Sequence, residues 1–144
     1  ASGRGSLALK RILLDTSAYA AFKRGDPDAM AVLRRAPEIA LCPTVLGELL
    51  GGFACGSQAA RNRRELDAFI HTPRVRLPTI DAETAEHYAA IFASLRRKGQ
   101  PVPTNDLWIG AVALQYGYAV LSIDSHFDAI ENLISGSKIE HFLP

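Results

Sequence analysis

The chain has 144 residues, 48% of them hydrophobic and 22% charged, which is the length of one domain and the composition of a globular protein. Disorder, collagen and coiled coil are excluded as whole-chain readings, and no apolar run reaches the roughly 18 residues that a membrane helix needs. Sixteen Lys and Arg against fifteen Asp and Glu give a net charge of +1, which neither demands nor forbids a nucleic-acid partner.

Residues 1–6 lack Met and are rich in Gly and Ser, so 1–7 reads as a disordered tail or an expression scar, ahead of one domain over 8–144. Ile12, Leu13 and Leu14 predict a strand ending at Asp15. Thr16 or Ser17 then caps a helix to about residue 23, stopped by Gly25. Asp26, Pro27 and Asp28 start a second helix that Pro37 ends. A buried strand over 39–42 precedes a helix from Pro43 to about residue 53, and a basic helix follows to about residue 71. Val75, Arg76 and Leu77 predict a short strand.

From Asp81 a long amphipathic helix runs to about residue 98, with Ala85, Tyr88, Ala89, Phe92 and Leu95 as its apolar face. Thr104 and Asn105 cap a helix that ends before Gly117. A strand over 118–121, a short helix near 127–133 and a last strand near 139–142 complete the chain. Short strands alternating with helices predict an α/β fold with a mostly parallel sheet and helices on both faces. Cys42 and Cys55 are too few for a disulfide scaffold. Both are expected to be buried, in a protein of the reducing cytosol.

Open parallel sheets bind ligands beyond the carboxyl ends of their strands. Asp15 and Asp124 fall at such ends, and Asp106 lies in the first turn of the helix before the second of them. Each also has a plain structural explanation, as a helix cap or as a charge complementing a helix dipole. Glu48 is different. It stands in an almost wholly apolar helix, and a capping box from Thr44 would need its partner at Gly47. Thr44, Glu48, Gly51, Gly52 and Cys55 share one helix face, whose glycines would admit a close backbone.

If the four acids converge, two carboxylates about 4 Å apart repel by roughly 4 kcal/mol at an effective dielectric near 20. Such a cluster calls for a proton or a cation, and oxygen ligands suit Mg²⁺ or Mn²⁺. The four His and two Cys show no zinc spacing, and there is no phosphate-binding glycine loop or nucleophile elbow. His126 reads as part of a helix or its cap rather than as a base.

Ile12-Leu13-Leu14-Asp15-Thr16-Ser17, Pro43-Thr44-Val45-Leu46-Gly47-Glu48-Leu49, Pro103-Thr104-Asn105-Asp106-Leu107-Trp108 and Leu121-Ser122-Ile123-Asp124-Ser125-His126-Phe127 resemble, in order and spacing, the four motifs of PIN-domain nucleases. Length and arrangement are similar to the VapC toxins of toxin–antitoxin pairs. The resemblance implies a three-layer α/β/α sandwich and a Mg²⁺- or Mn²⁺-dependent endoribonuclease. It implies Asp15 and Asp106 as the main metal ligands, completed by Glu48 and Asp124. Ser17, Asn105 and Ser122 support that pocket, Ser122 standing where Thr is more usual. It also implies a structured RNA substrate, a small VapB-type antitoxin and a homodimer, to which apolar residues around 45–53 contribute. Arg61, Arg63, Arg64, Arg74, Arg76, Arg96, Arg97 and Lys98 are candidates to attract RNA, with none singled out. Trp108 and Phe127, beside acids, read as core rather than as base-stacking rings. The rival classes are a receiver-type phosphorylation domain, which lacks here its paired acids and late-strand Lys, and a catalytically silent acidic-pocket module.

Overall fold

In a computed structural model the chain is described from residue 9 to residue 144. The expected tail over 1–7 lies outside the described residues.

The strands are β1 (Ile12–Leu14), β2 (Ile39–Ala40), β3 (Val75–Arg76), β4 (Ala119–Leu121) and β5 (Ser135–Gly136). They form one sheet in the order β3-β2-β1-β4-β5, parallel at every ladder. Among the described residues six α-helices flank it: α1 (Thr16–Lys23), α2 (Pro27–Arg35), α3 (Pro43–Cys55), α4 (Ala59–Ile70), α5 (Ala82–Lys98) and α6 (Thr104–Tyr116). The three-layer α/β/α class expected from the sequence is the one observed. The central strands are apolar at every position because helices cover both faces. Ile12, Leu13, Leu14, Val120 and Leu121 are all buried, each worth about 1.5–3 kcal/mol.

Strand order fixes the functional end. From β1 the chain moves outward through β2 to β3, then returns to place β4 on the other side of β1. The order therefore reverses between β1 and β4, and a crevice opens beyond their carboxyl ends. Asp15 follows β1 there, and the segment 122–124 follows β4.

Several local expectations are corrected. Neither Thr16 nor Ser17 caps α1: Asp15 does, its Oδ1 accepting from the Ala18 amide at 2.9 Å. Thr104 and Asn105 are already inside α6, whose cap position is Pro103, which makes no side-chain cap bond. The strand expected over 39–42 stops at Ala40, because Cys42 is the cap position of α3. Cys42 is buried as expected, but Cys55 is exposed.

The buried face of α5 is Thr84, Ile91, Ser94 and Leu95, whereas Ala85, Ala89 and Phe92 face outward. Two of the buried residues are polar, and Thr84 is satisfied by Asp81 and Gln115. On α6, Gly110 keeps the space that Ile130 and Ile91 fill; a Cβ there would lie 2.8 Å from the Ile130 Cδ1.

No strand forms over 139–142. Ile139–Phe142 is a 3₁₀ helix, because the amides of Ser137 and Lys138 both donate to His141 Nδ1 and curl the chain. The last strand is the earlier Ser135–Gly136. The short helix expected near 127–133 is a 3₁₀ helix at His126–Ala129, and Asn132, at φ 67°, turns the chain after it.

A candidate metal centre

Asp15 is the most buried of the acids, at 4% exposure. Beyond capping α1, its Oδ1 accepts from the Ser17 hydroxyl (2.8 Å) and its Oδ2 from the Ser122 hydroxyl (2.7 Å). The two serines also organise the β4 end: Ser17 Oγ accepts from the Ile123 amide and Ser122 Oγ from the Asp124 amide, both at 3.2 Å. One carboxylate thus joins the first and fourth motifs through two hydroxyls.

Glu48 reaches the same end from the middle of α3. Its Oε1 accepts from the Thr16 hydroxyl at 2.5 Å and its Oε2 from the Asn105 amide at 3.0 Å. The second motif is thereby tied to the first and the third. Among the described residues no other backbone lies against the glycines of its face: a Cβ at Gly51 or Gly52 would meet nothing within 4 Å.

Asp106 enters from the first turn of α6, with a side chain 14% exposed. His126 Nδ1 lies 2.7 Å from Asp106 Oδ2 and 3.3 Å from Asp124 Oδ1. Asp124 is 40% exposed and also accepts from the His126 amide at 3.1 Å. His126, expected only as part of a helix or cap, does open the 3₁₀ helix, yet its ring stands between two acids.

The acids feel one another. Burial raises the Asp15 carboxyl above its ordinary value, partly offset by the bonds from Ser122, Ala18 and Ser17, and the Asp124 charge adds to the rise. Burial also raises Asp106; the hydrogen bond to His126 opposes this, and the charges of Asp124 and Glu48 reinforce it. His126 is raised in turn, first by its bond to Asp106 and then by the Asp124 charge. Among the described residues, His126 pairs with acids of this set, whereas the Lys and Arg ion pairs all lie elsewhere. A carboxylate cluster that runs from buried Asp15 to exposed Asp124, with no Lys or Arg in an ion pair against it among the described residues, fits a divalent cation with oxygen ligands. Asp106, Asp124 and His126 offer ligand atoms all within 4.8 Å of one another.

Other sequence candidates fall outside this group. Phe127 is core, at 1% exposure, as expected. Trp108 is half-buried and stacks on Tyr88 of α5 with centroids 4.3 Å apart. Arg74 donates to the carbonyls of Leu33 and Ala36 at the end of α2, and Arg76 to that of Pro73. Arg61 pairs with Glu65, and Lys98 with Glu131. Sequence reasoning missed Thr16 and His126. The available signals were their positions, one residue after Asp15 and two after Asp124.

Residues 12–133 match the PIN domain, and the chain belongs to the PIN-domain family. Ribonuclease VapC4 of Mycobacterium tuberculosis is 31% identical over 127 residues, which cover 87% of this chain and 95% of that protein. The fold is shared with VapBC2 from Rickettsia felis, solved bound to a DNA fragment from its promoter: TM-score 0.78 at 24% identity, over 88% of this chain and 98% of that one. It is shared too with VapBC-5 of Mycobacterium tuberculosis, a member of the VapBC family of toxin–antitoxin systems: TM-score 0.68 at 23% identity, over 90% and 98%.

Proposed function

We propose that this chain is a divalent-metal-dependent endoribonuclease toxin, kept silent by a small VapB-type antitoxin. The observation that carries the reading is the set of hydrogen bonds that links Asp15, Glu48, Asp106 and Asp124 through Thr16, Ser122, Asn105 and His126, beside the point where strand order reverses. Similarity to a VapC ribonuclease and to VapBC assemblies supports the reaction and the partner.

Asp15 and Asp106 hold the cation, with Glu48 and Asp124 completing the pocket. When bound, Mg²⁺ or Mn²⁺ supplies Lewis acidity toward the phosphate and the attacking water. Ser17 and Ser122 fix both oxygens of Asp15, so it needs no reorganisation when RNA arrives. Thr16 and Asn105 hold Glu48 in one orientation, with lone pairs left to direct water. Water attacks phosphorus, the bond to the ribose 3′ oxygen breaks, and that oxygen takes a proton. The products carry 5′-phosphate and 3′-hydroxyl ends. The substrate is a structured RNA, transfer or ribosomal, and the working form is a homodimer.

End-mapping of total RNA treated with this protein and Mn²⁺ tests the reading. Discrete cuts bearing 5′-phosphates are expected, absent with Asp106→Asn or EDTA. Folded, antitoxin-free protein that leaves every RNA intact would move the pocket to a signalling or binding role.

A further inference from the structure

The reaction as described gives His126 no task. We propose that His126 is a nitrogen ligand of the catalytic cation, sharing it with Asp106 and Asp124, and that this donor biases the site toward Mn²⁺ over Mg²⁺. The inference rests on reading the pocket as a metal site and goes beyond it by adding an imidazole to the carboxylates.

Geometry supports the assignment. Adjacent ligands of an octahedral ion with bonds of about 2.1 Å stand roughly 3.0 Å apart. Nδ1 lies 2.7 Å from Asp106 Oδ2 and 3.3 Å from Asp124 Oδ1, on either side of that value. The third pair, Asp106 and Asp124, also lies within 4.8 Å, so all three donors face one ion-sized space.

The ring is also delivered by an anchored turn. The His126 amide donates to Asp124 Oδ1, and the next residue, Phe127, is buried at 1% exposure. Burial of Phe127 thus fixes the backbone from which the ring extends, and burying such a side chain is worth about 1.5–3 kcal/mol.

Donor chemistry sets the preference. An imidazole has a nitrogen lone pair to offer, which an ammonium or guanidinium lacks. Mg²⁺ favours carboxylates, phosphate oxygens and its own waters. First-row transition ions accept imidazole more readily, so a mixed N and O set favours them. Removing the ring therefore affects Mn²⁺ more than Mg²⁺.

The test is titration of wild type, His126→Ala and Asp106→Asn with MnCl₂ and MgCl₂, following free Mn²⁺ by electron paramagnetic resonance and Mg²⁺ by thermal shift. A pulsed-resonance spectrum of the wild-type Mn²⁺ complex is read for coupling to nitrogen. Expected are a nitrogen coupling and, in His126→Ala, at least the roughly tenfold weakening of Mn²⁺ that losing even an outer partner of a ligand produces, with Mg²⁺ little changed. If His126→Ala fails to fold, the wild-type nitrogen coupling alone decides. Wild type without nitrogen coupling, or His126→Ala binding Mn²⁺ as tightly as wild type or more so, overturns the assignment and leaves the ring as a counter-charge that the cation displaces. Should Asp106→Asn lose the ion while His126→Ala keeps it, only this inference fails; should wild type bind neither ion, the metal-nuclease reading fails with it.

Discussion

Thr16 and Glu48 are joined across 32 positions of sequence by a hydrogen bond of 2.5 Å from the Thr16 hydroxyl to Oε1. The bond clamps the second acidic motif to the residue beside the first. Thr16→Val removes it while keeping the shape of the side chain. The expected outcome is a fall in kcat of up to roughly 100-fold, since small misplacements of a catalytic group are that damaging. KM and the melting temperature move little, and Thr16→Ser restores the rate. Steady-state cleavage of the mapped RNA checks this; a Thr16→Val protein at full rate removes the clamp from the mechanism.

Ser122 is the joint between Asp15 and the β4 end. Its hydroxyl donates to Asp15 Oδ2 and accepts from the Asp124 amide, and it is buried. Ser122→Ala leaves the buried Asp15 Oδ2 without its donor, which costs about 1–3 kcal/mol. It also removes a bond that holds the Asp15 carboxyl down, so the acid limb of activity moves to higher pH. Urea denaturation and a pH–rate profile read the two effects. Ser122→Thr, which keeps the hydroxyl, should show neither.

Stability of the metal-free protein should fall as pH rises from 6 to 8. His126 is raised above its ordinary value of 6.5 by Asp106 and Asp124. The stability it contributes is therefore complete below about 6.5 and is lost as pH climbs through its folded value. Asp15 and Asp106 are raised as well, and act in the same sense at lower pH. Thermal melts of wild type and His126→Ala in EDTA test the window, the variant showing the flatter profile. A wild-type melting temperature that rises across this range contradicts the sign.

Cation binding should stabilise the fold by about 2.7 kcal/mol at a hundredfold excess over the dissociation constant. Asp106→Asn should abolish that increment, because it removes a carboxylate charge from the first turn of α6, where the proposed ion sits. The measurement is the shift in melting temperature on adding Mn²⁺. An equal shift in both proteins would place the ion elsewhere.

Gly136 tests the fold rather than the site. A Cβ added there would run into the ring and Cβ of His141, on the 3₁₀ helix that follows β5. Gly136→Ala should destabilise by about 1–3 kcal/mol, as overpacking does, while leaving Mn²⁺ affinity intact. Equilibrium unfolding together with metal titration separates the two.

The alternation of apolar strands with helices was legible because each β1 and β4 residue must be apolar when both sheet faces are covered. Asp15 and Asp124 were legible as residues at strand ends, Asp106 as an acid in the first turn of a helix, and Glu48 as a charge with no local partner. The α5 face was not. Thr84 and Ser94 are buried, and no hydropathy pattern reveals that Gln115, far away in sequence, satisfies Thr84. The terminal 3₁₀ helix was hidden for a similar reason: His141 bonds backward to two amides, overriding an apolar pattern that otherwise suits a strand.

What the sequence determined by itself was the class of fold and the places of four candidate acids along it, because strand length, helix punctuation and an unpartnered carboxylate are local properties of the chain. Only the tertiary structure decided which donors hold them. Thr16 and Asn105 meet on Glu48, Ser17 and Ser122 meet on Asp15, and His126 settles between Asp106 and Asp124. Hydrogen bonds are short-ranged and directional, so partners from distant motifs are chosen by the approach of packed elements and not by spacing along the chain.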